Sequence, residues 1–471
     1  MGKALILVVF FDIFCNPKGD SIVNKIKAFA ALGIAAGLGL AATAYADGGA
    51  SDIQLAKMQR QVNALQNQVN SMGAVSKDGK SIGNMVSFNT PSTVALMGVQ
   101  NWTGGAAYLL NARKNHQLAN RTLYVGGLIR ANVNMQRVGE KNYSTIAPKN
   151  VTRKTYSSIL LPQVDIDFIA NINPWVTAYI QINGNPYEGS MTNGKTGDDA
   201  VEPIMYNGSL SADAAILTIH QAFVLVGDLN KYPVYGFIGK KRIDFGSFET
   251  LSFNSTPLTR RFFAALGNTA GLGYQAAGFN IVASAINGTT GGSLLAGLNL
   301  NTTNSSQINN FAVNADFSHK NGGLSWKVGL GYLNGSNARF ARTTDRRNGA
   351  WDMNAELGFG GFTILGEYVQ TAKKTNSTYG TKRVKSWDLE ANYKFPLLGA
   401  DSRVNIGYSE IRAIETRKAR TLVVGLDNQT FKNVWLGVEY SHTRDQGMVF
   451  ASTTDQKVNF STVAFVVTAA I

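Results

Sequence analysis

One apolar run near the start, with none like it afterwards, limits what this chain can become. Val23-Asn24-Lys25-Ile26-Lys27 leads into the stretch Ala28 to Ala44, which ends Ala44-Tyr45-Ala46 before Asp47. Two lysines, an apolar stretch and small residues at either side of Tyr45 make a secretory signal with a cut after Ala46. No later run is long enough for a spanning helix. An exported chain that stays in a membrane must then cross it as strands, whose backbone groups are all paired only when the sheet closes on itself. The expected fold is all-β: a transmembrane antiparallel β-barrel of about sixteen strands with a short N-terminal periplasmic helix.

Residues 1–22 fit no export signal. An apolar stretch, Ala4 to Phe14, runs into the turn-like Cys15-Asn16-Pro17-Lys18-Gly19-Asp20. A start at Val23 makes 23–46 a signal of about two dozen residues, in the usual range, and leaves 1–22 as an upstream extension from a misplaced start. The alternative is a long leader from Met1 cleaved at the same place. Cys15 follows Phe14 rather than a small residue, so it is not a lipoprotein anchor.

The only cysteine is Cys15, and cleavage removes it. The mature fold therefore rests on no disulfide and no thiolate metal site. Hydrophobic residues make up 44% of the chain and mean hydropathy is −0.06, values that resemble a soluble protein. A barrel strand turns half its residues to a polar lumen, so a soluble-looking average is what a membrane barrel predicts. The net charge of +14 raises the question of nucleic acid. The lysines and arginines are scattered, however, and no RNA-binding or helix-turn-helix signature accompanies them. The partners expected are anionic solutes, outer-membrane lipids and lipopolysaccharide phosphates, with no nucleic acid.

Within 47–75, Leu55, Met58, Val62, Leu65, Val69 and Met72 follow the a/d spacing of a heptad, with Gln, Asn, Lys and Arg between them. So short a helix is marginal alone in water. It is expected either to pair with copies of itself through 53–72 or to lie at the periplasmic mouth of the barrel. Residues 76–120, rich in Gly, Ser, Asn and Thr, read as a linker or a small lumen insert. From 121 to 471 alternation takes over. Leu123, Val125, Gly127, Ile129, Ala131, Val133 and Met135 share one face against Arg130, Asn132, Asn134 and Gln136. The next strand sets Val164, Ile166 and Phe168 against Asp165 and Asp167, the lipid-out, lumen-in pattern of a barrel. Arg130, Asn132, Asn134, Asp165 and Asp167 are thus expected to face the lumen. Short turns such as Asn173-Pro174 and Gly360-Gly361 alternate with longer loops such as 185–213, 247–267 and 335–348, and one strand is expected to run from 233 to 246.

Four histidines, His116, His220, His319 and His442, stand far apart, and none sits in a metal or nucleophile motif. No catalytic residue, metal ligand or cofactor is expected. His442 beside Ser441 reads as a lumen or rim residue. The denser feature is Gly239-Lys240-Lys241-Arg242-Ile243-Asp244-Phe245-Gly246, followed by Arg260-Arg261. Cations facing lipid are costly, so Lys240, Lys241, Arg242, Arg260 and Arg261 are expected to line the lumen or its rim and to attract anions. For any one of them the competing reading is a lipopolysaccharide contact or an ion pair with Asp244 or Glu249.

The signal, the Gln/Asn-rich heptad segment, the order QAFVLVGDLNKYPVYGFIGKKRIDFGSFET at 221–250 and the sixteen-run pattern together resemble the LbtU family of siderophore porins. The resemblance implies an outer-membrane barrel with a periplasmic helical extension that imports a ferric siderophore without the large plug of energy-coupled receptors. The segment Gly239 to Gly246 is also similar to what general and phosphate-selective porins carry, which keeps a general or anion-selective diffusion porin as the alternative. A structural surface protein is the third reading, suggested by the long loops.

Overall fold

The computed structural model describes residues 86–87, 103–138, 155–184, 218–287, 290–291, 307–337, 348–374, 382–397, 399–412, 418–446 and 457–470. All of them belong to one compact unit, Met85–Ile471. The upstream extension 1–22, the signal 23–46, the heptad segment 47–75 and the loop 185–213 lie outside the described residues.

Sixteen strands follow one another and close. They are β1 (Thr122–Val138), β2 (Thr155–Asn171), β3 (Val176–Asn183), β4 (Thr218–Gly227), β5 (Val234–Arg242), β6 (Leu266–Ala276), β7 (Phe279–Asn287) and β8 (Ile308–Asn321). The second half comprises β9 (Leu324–Leu333), β10 (Ala350–Phe359), β11 (Phe362–Thr371), β12 (Lys385–Leu397), β13 (Ala400–Arg412), β14 (Lys418–Phe431), β15 (Val434–Gln446) and β16 (Lys457–Ala470). Each strand pairs antiparallel with its neighbour in sequence, and β16 returns to β1 in a register running from Phe460↔Val138 to Ala470↔Leu128. Val86–Ser87 adds a short parallel pairing at Leu123 and Tyr124.

Alternation in the sequence becomes the two faces of the wall. On β1, Tyr124, Leu128, Asn132 and Asn134 are buried, while Ile129 and Val133 are exposed. Leu272, Leu330, Met353 and Leu389 stand outward from their strands in the same way. Where alternation slips, the ladder slips with it. Ala131 has no paired partner on β2 between Arg130↔Gln163 and Asn132↔Leu160, and Pro162, which cannot donate to a ladder, occupies the irregularity. Short turns close one end of the barrel. Gly360-Gly361 supplies two positive φ values, 52° and 87°, as the tightest hairpin turns need. Rings gather near both ends of the outer face: Phe279 with Phe317 and Phe362 with Tyr393 by the short turns, Tyr332 with Trp351 and Trp387 with Tyr408 by the long loops. They have the arrangement of two interfacial girdles around an apolar band.

Two apolar clusters lie inside the barrel, and each is completed by a helix. The first helix, α1 (Gly105–Lys114), falls within the stretch expected to be a linker or lumen insert. It buries Ala106, Leu109, Leu110 and Ala112 against inward side chains of β1 to β7, among them Tyr179, Leu225, Tyr235 and Phe237. Arg113 Nη1 donates to Thr177 Oγ1 on β3 (3.1 Å). The second helix, α2 (Leu258–Phe263), packs Leu258, Phe262 and Phe263 on Val369, Ile411 and Ala419 of β11, β13 and β14. Between β5 and α2 the expected course fails: β5 stops at Arg242 instead of running to 246. Asp244 turns back to pair with Lys241, and Gly246 takes φ 73°, which no strand accommodates.

Candidate functional site

The segment 243–265, between β5 and β6, lies inside the barrel and is held there chiefly by carboxylates of the facing wall. Gly246 N–H donates to Asn314 of β8 (3.2 Å). Ser247 and Phe248 then donate their N–H groups to Glu367 of β11 at 2.8 and 3.0 Å. Gly246 and Phe248 both have positive φ, 73° and 50°, which turns successive amides to one side and forms a nest for the carboxylate. Leu251 and Ser252 donate to Glu390 of β12 at 2.5 and 3.2 Å, joined by the Thr250 hydroxyl at 3.0 Å. Asn254 N–H reaches Glu439 of β15 (3.2 Å), and its side-chain oxygen accepts from Asn132 of β1 (2.6 Å). Phe253 lies over bare wall, since a Cβ on Gly425 or Gly437 would stand 2.7 Å from its ring. Thr259 of α2 donates to Asp388. The loop therefore follows the inside of the barrel from β8 to β15 and across to β1.

Arginines from three elements stand close enough inside the barrel to feel one another's charge. Arg260 on α2 feels the charges of Arg242 on β5 and Arg130 on β1 as well as those of Glu390 and Glu367, and Asp165 of β2 feels Arg242 and Arg130 in turn. Burial, followed by those two like charges, pushes the Arg260 guanidinium well below the ordinary arginine range. Arg242 lies 3.4 Å from His220 Nε2, its backbone N–H donates to Gln221, and it is buried at the end of its strand. Arg261 is half-buried beside Arg260 on α2.

Two of the five basic residues leave the surface expected of them. Lys240 pairs in register with outward-facing Ala222, so its stem lies on the outer face and its ammonium turns to the Ile219 carbonyl (2.7 Å). Lys241 points inward but is only 1% exposed, locked to Asp244 at 2.6 Å and 4.5 Å from the Phe237 ring centroid. A buried pair of this kind holds a loop and offers no charge to a solute. Lumen-facing Asp165 accepts from Asn183 (2.8 Å) and Gln163, and Asp167 accepts from the Tyr179 hydroxyl (2.6 Å). Asn134 is buried on the same inner face as Asn132. His442 is on the outer face, its Nδ1 2.8 Å from Ser461. Sequence reasoning missed Glu367, Glu439 and α1. The signal for Glu367 was its being the one charged residue of β11, at an inward position of the alternation.

A closed wall with an apolar outer band, two aromatic girdles and the polar residues of its strands turned inward has one natural solvent. The chain is a β-barrel of the bacterial outer membrane. No family model matches it. A UPF0422 protein of Coxiella burnetii is 22% identical over 304 residues, 59% of this chain, and the matched part spans 57% of that relative's length. Among solved structures the barrel is similar to an anion-selective porin from Comamonas acidovorans, with TM-score 0.46 and 13% identity over 74% of this chain and 99% of that one. OprB of Pseudomonas putida gives TM-score 0.46 and 10% identity over 74% of this chain and 94% of its own. Among the described residues no group of three or more His, Cys, Asp or Glu side chains is arranged to hold a metal ion.

Proposed function

We propose that this barrel is a porin-like transport protein for anionic solutes, and that its solute is a ferric siderophore. The observation that carries the anion reading is that Arg130, Arg242 and Arg260, from β1, β5 and α2, lie near enough inside the barrel to feel one another's charge, with Asp165, Glu367 and Glu390 beside them. Charges set in a narrow lumen with low-dielectric walls raise the local concentration and capture rate of counter-ions. A loop tied to strands all round the wall, among them β1, β8, β9, β11, β12, β13 and β15, keeps those charges in place as solute passes. The siderophore reading is supported by the resemblance carried at 221–250 and by chemistry, because ferric complexes of carboxylate and catecholate ligands are anionic.

Purified protein in a planar bilayer tests both levels. A reversal potential under a salt gradient that favours anions, and that moves toward neutrality in Arg242→Gln/Arg260→Gln, is the expected result; cation preference in the unaltered protein would sink the anion reading. Saturable uptake of a ferric siderophore into proteoliposomes is expected for the siderophore channel. Flux that grows in proportion to concentration assigns the barrel to general diffusion.

A further inference from the structure

Among the described residues, the outer face near the long loops carries cations across four consecutive strands, where a membrane barrel ordinarily presents apolar or aromatic side chains. Lys385 of β12 is the register partner of Arg412 on β13, and Arg412 is in turn the partner of Lys418 on β14. One step closer to the membrane centre, Arg420 of β14 faces Arg444 on β15. Like charges directly opposite one another on neighbouring strands destabilise a sheet, so the arrangement calls for an anion. Among the described residues one carboxylate joins them on this face. Glu410, whose side chain is 5% exposed, accepts from Arg412 and lies 2.8 Å from Arg420 Nε, which fixes both guanidiniums while they stay 55% and 40% exposed. Tyr408 and Trp387, with ring centroids 5.2 Å apart, come next below, and then the exposed Leu389 and Ile406.

From rim to midplane the surface thus reads cationic, aromatic and apolar along the same strands. A freely dissolved anion matches only the first of these zones. An amphiphile with an anionic head and acyl chains matches all three. We propose that the β12–β15 face is a binding site for a phosphorylated glycolipid of the outer leaflet, its phosphates against Lys385, Arg412, Lys418, Arg420 and Arg444 and its chains against the apolar band. The Glu410 bridge sets the spacing of the two arginines, and Lys385, Lys418 and Arg444 complete the phosphate contacts. This site is separate from the lumen and does not depend on what the channel carries.

The test uses full-length protein purified from outer membranes and exchanged into nanodiscs, with bound lipid counted by native mass spectrometry. The probes are bis-phosphorylated lipid A, the same glycolipid stripped of both phosphates, and inorganic phosphate. Retention of bis-phosphorylated lipid A at least tenfold above the stripped glycolipid is expected, with no displacement by inorganic phosphate at millimolar concentration. Lys385→Gln/Lys418→Gln/Arg444→Gln, which leaves the Glu410 bridge intact, is expected to erase the difference while keeping the heat-modifiable mobility of a folded barrel. The single variants Lys418→Gln and Arg444→Gln should each lower retention in part, and they decide the matter if the triple variant does not assemble. Equal retention of the two glycolipids, unchanged retention in the folded variants, or displacement by inorganic phosphate overturns the proposal.

Discussion

At the scale of single residues, the inward loop depends on a few positions whose chemistry has no close substitute. Glu367 accepts from two consecutive amides, so Glu367→Ala strips the Ser247 and Phe248 N–H groups of their acceptor in a buried place. Each orphaned donor costs about 1–3 kcal/mol. The expected result is a folded barrel whose segment 243–265 becomes cleavable by added protease and whose single-channel current becomes noisy. An uncut loop with a quiet current would show that the remaining anchors suffice. Gly246 works from the other partner: at φ 73° an alanine is strained, and its Cβ would stand 2.8 Å from Glu367 Oε1. Gly246→Ala is expected to lower the unfolding free energy by roughly 1–3 kcal/mol and to reproduce the noisy current. These residues also show what the sequence hid. Lys240, Lys241 and Arg242 read as one basic patch, yet a strand sends successive side chains to opposite faces and an acid three residues on claims the middle one. Charge count along the chain carried no information about which of the three would meet a solute.

At the scale of elements, strands were legible and the lumen's contents were not. Barrel strands repeat one pattern against one invariant surroundings, lipid outside and polar lumen within, so Ile129 or Leu389 could be placed from its neighbours alone. The alternation in β1 and the Asn173-Pro174 and Gly360-Gly361 turns are written in the sequence and fall where the strands begin and end. The helix α1 had no such signal. Its apolar residues answer to Tyr179, Leu225, Tyr235 and Phe237, which come from strands up to some 130 positions later in the chain, and a contact of that range leaves no local periodicity. The same holds for the loop, whose anchors are spread from β8 to β15. The role of α1 can be tested directly. Leu109 and Leu110 are 0% and 1% exposed, and truncating a buried leucine costs roughly 2–5 kcal/mol, enough to release a helix of ten residues. Leu109→Ala/Leu110→Ala is expected to leave the barrel assembled and to raise its conductance step. An unchanged step would mean that α1 packs beside the conducting path rather than in it.

At the scale of the whole molecule, an even number of strands puts both ends of the barrel wall on one side, and the short turns mark that side as periplasmic. Protease applied to intact cells is expected to cut within 185–213 or 335–348 and to spare the Asn173-Pro174 turn; cleavage at the turn alone would invert the topology. Charge belongs to this scale as well, since the chain carries a formal +14 and two effects can make it prefer anions. A diffuse surface field is screened within about 10 Å at 0.1 M salt and about 3 Å at 1 M. Arginines fixed in the lumen next to the permeating ion lie closer than that and are screened far less. Raising the salt therefore separates the two contributions. Anion preference measured by reversal potential is expected to fall between 0.1 M and 1 M without vanishing, and Arg242→Gln/Arg260→Gln is expected to remove the part that survives at 1 M. If the preference of the unaltered barrel disappears in high salt, selectivity comes from the overall charge and the arginine cluster is structural. If it survives in the double variant, the selecting charges lie elsewhere in the lumen.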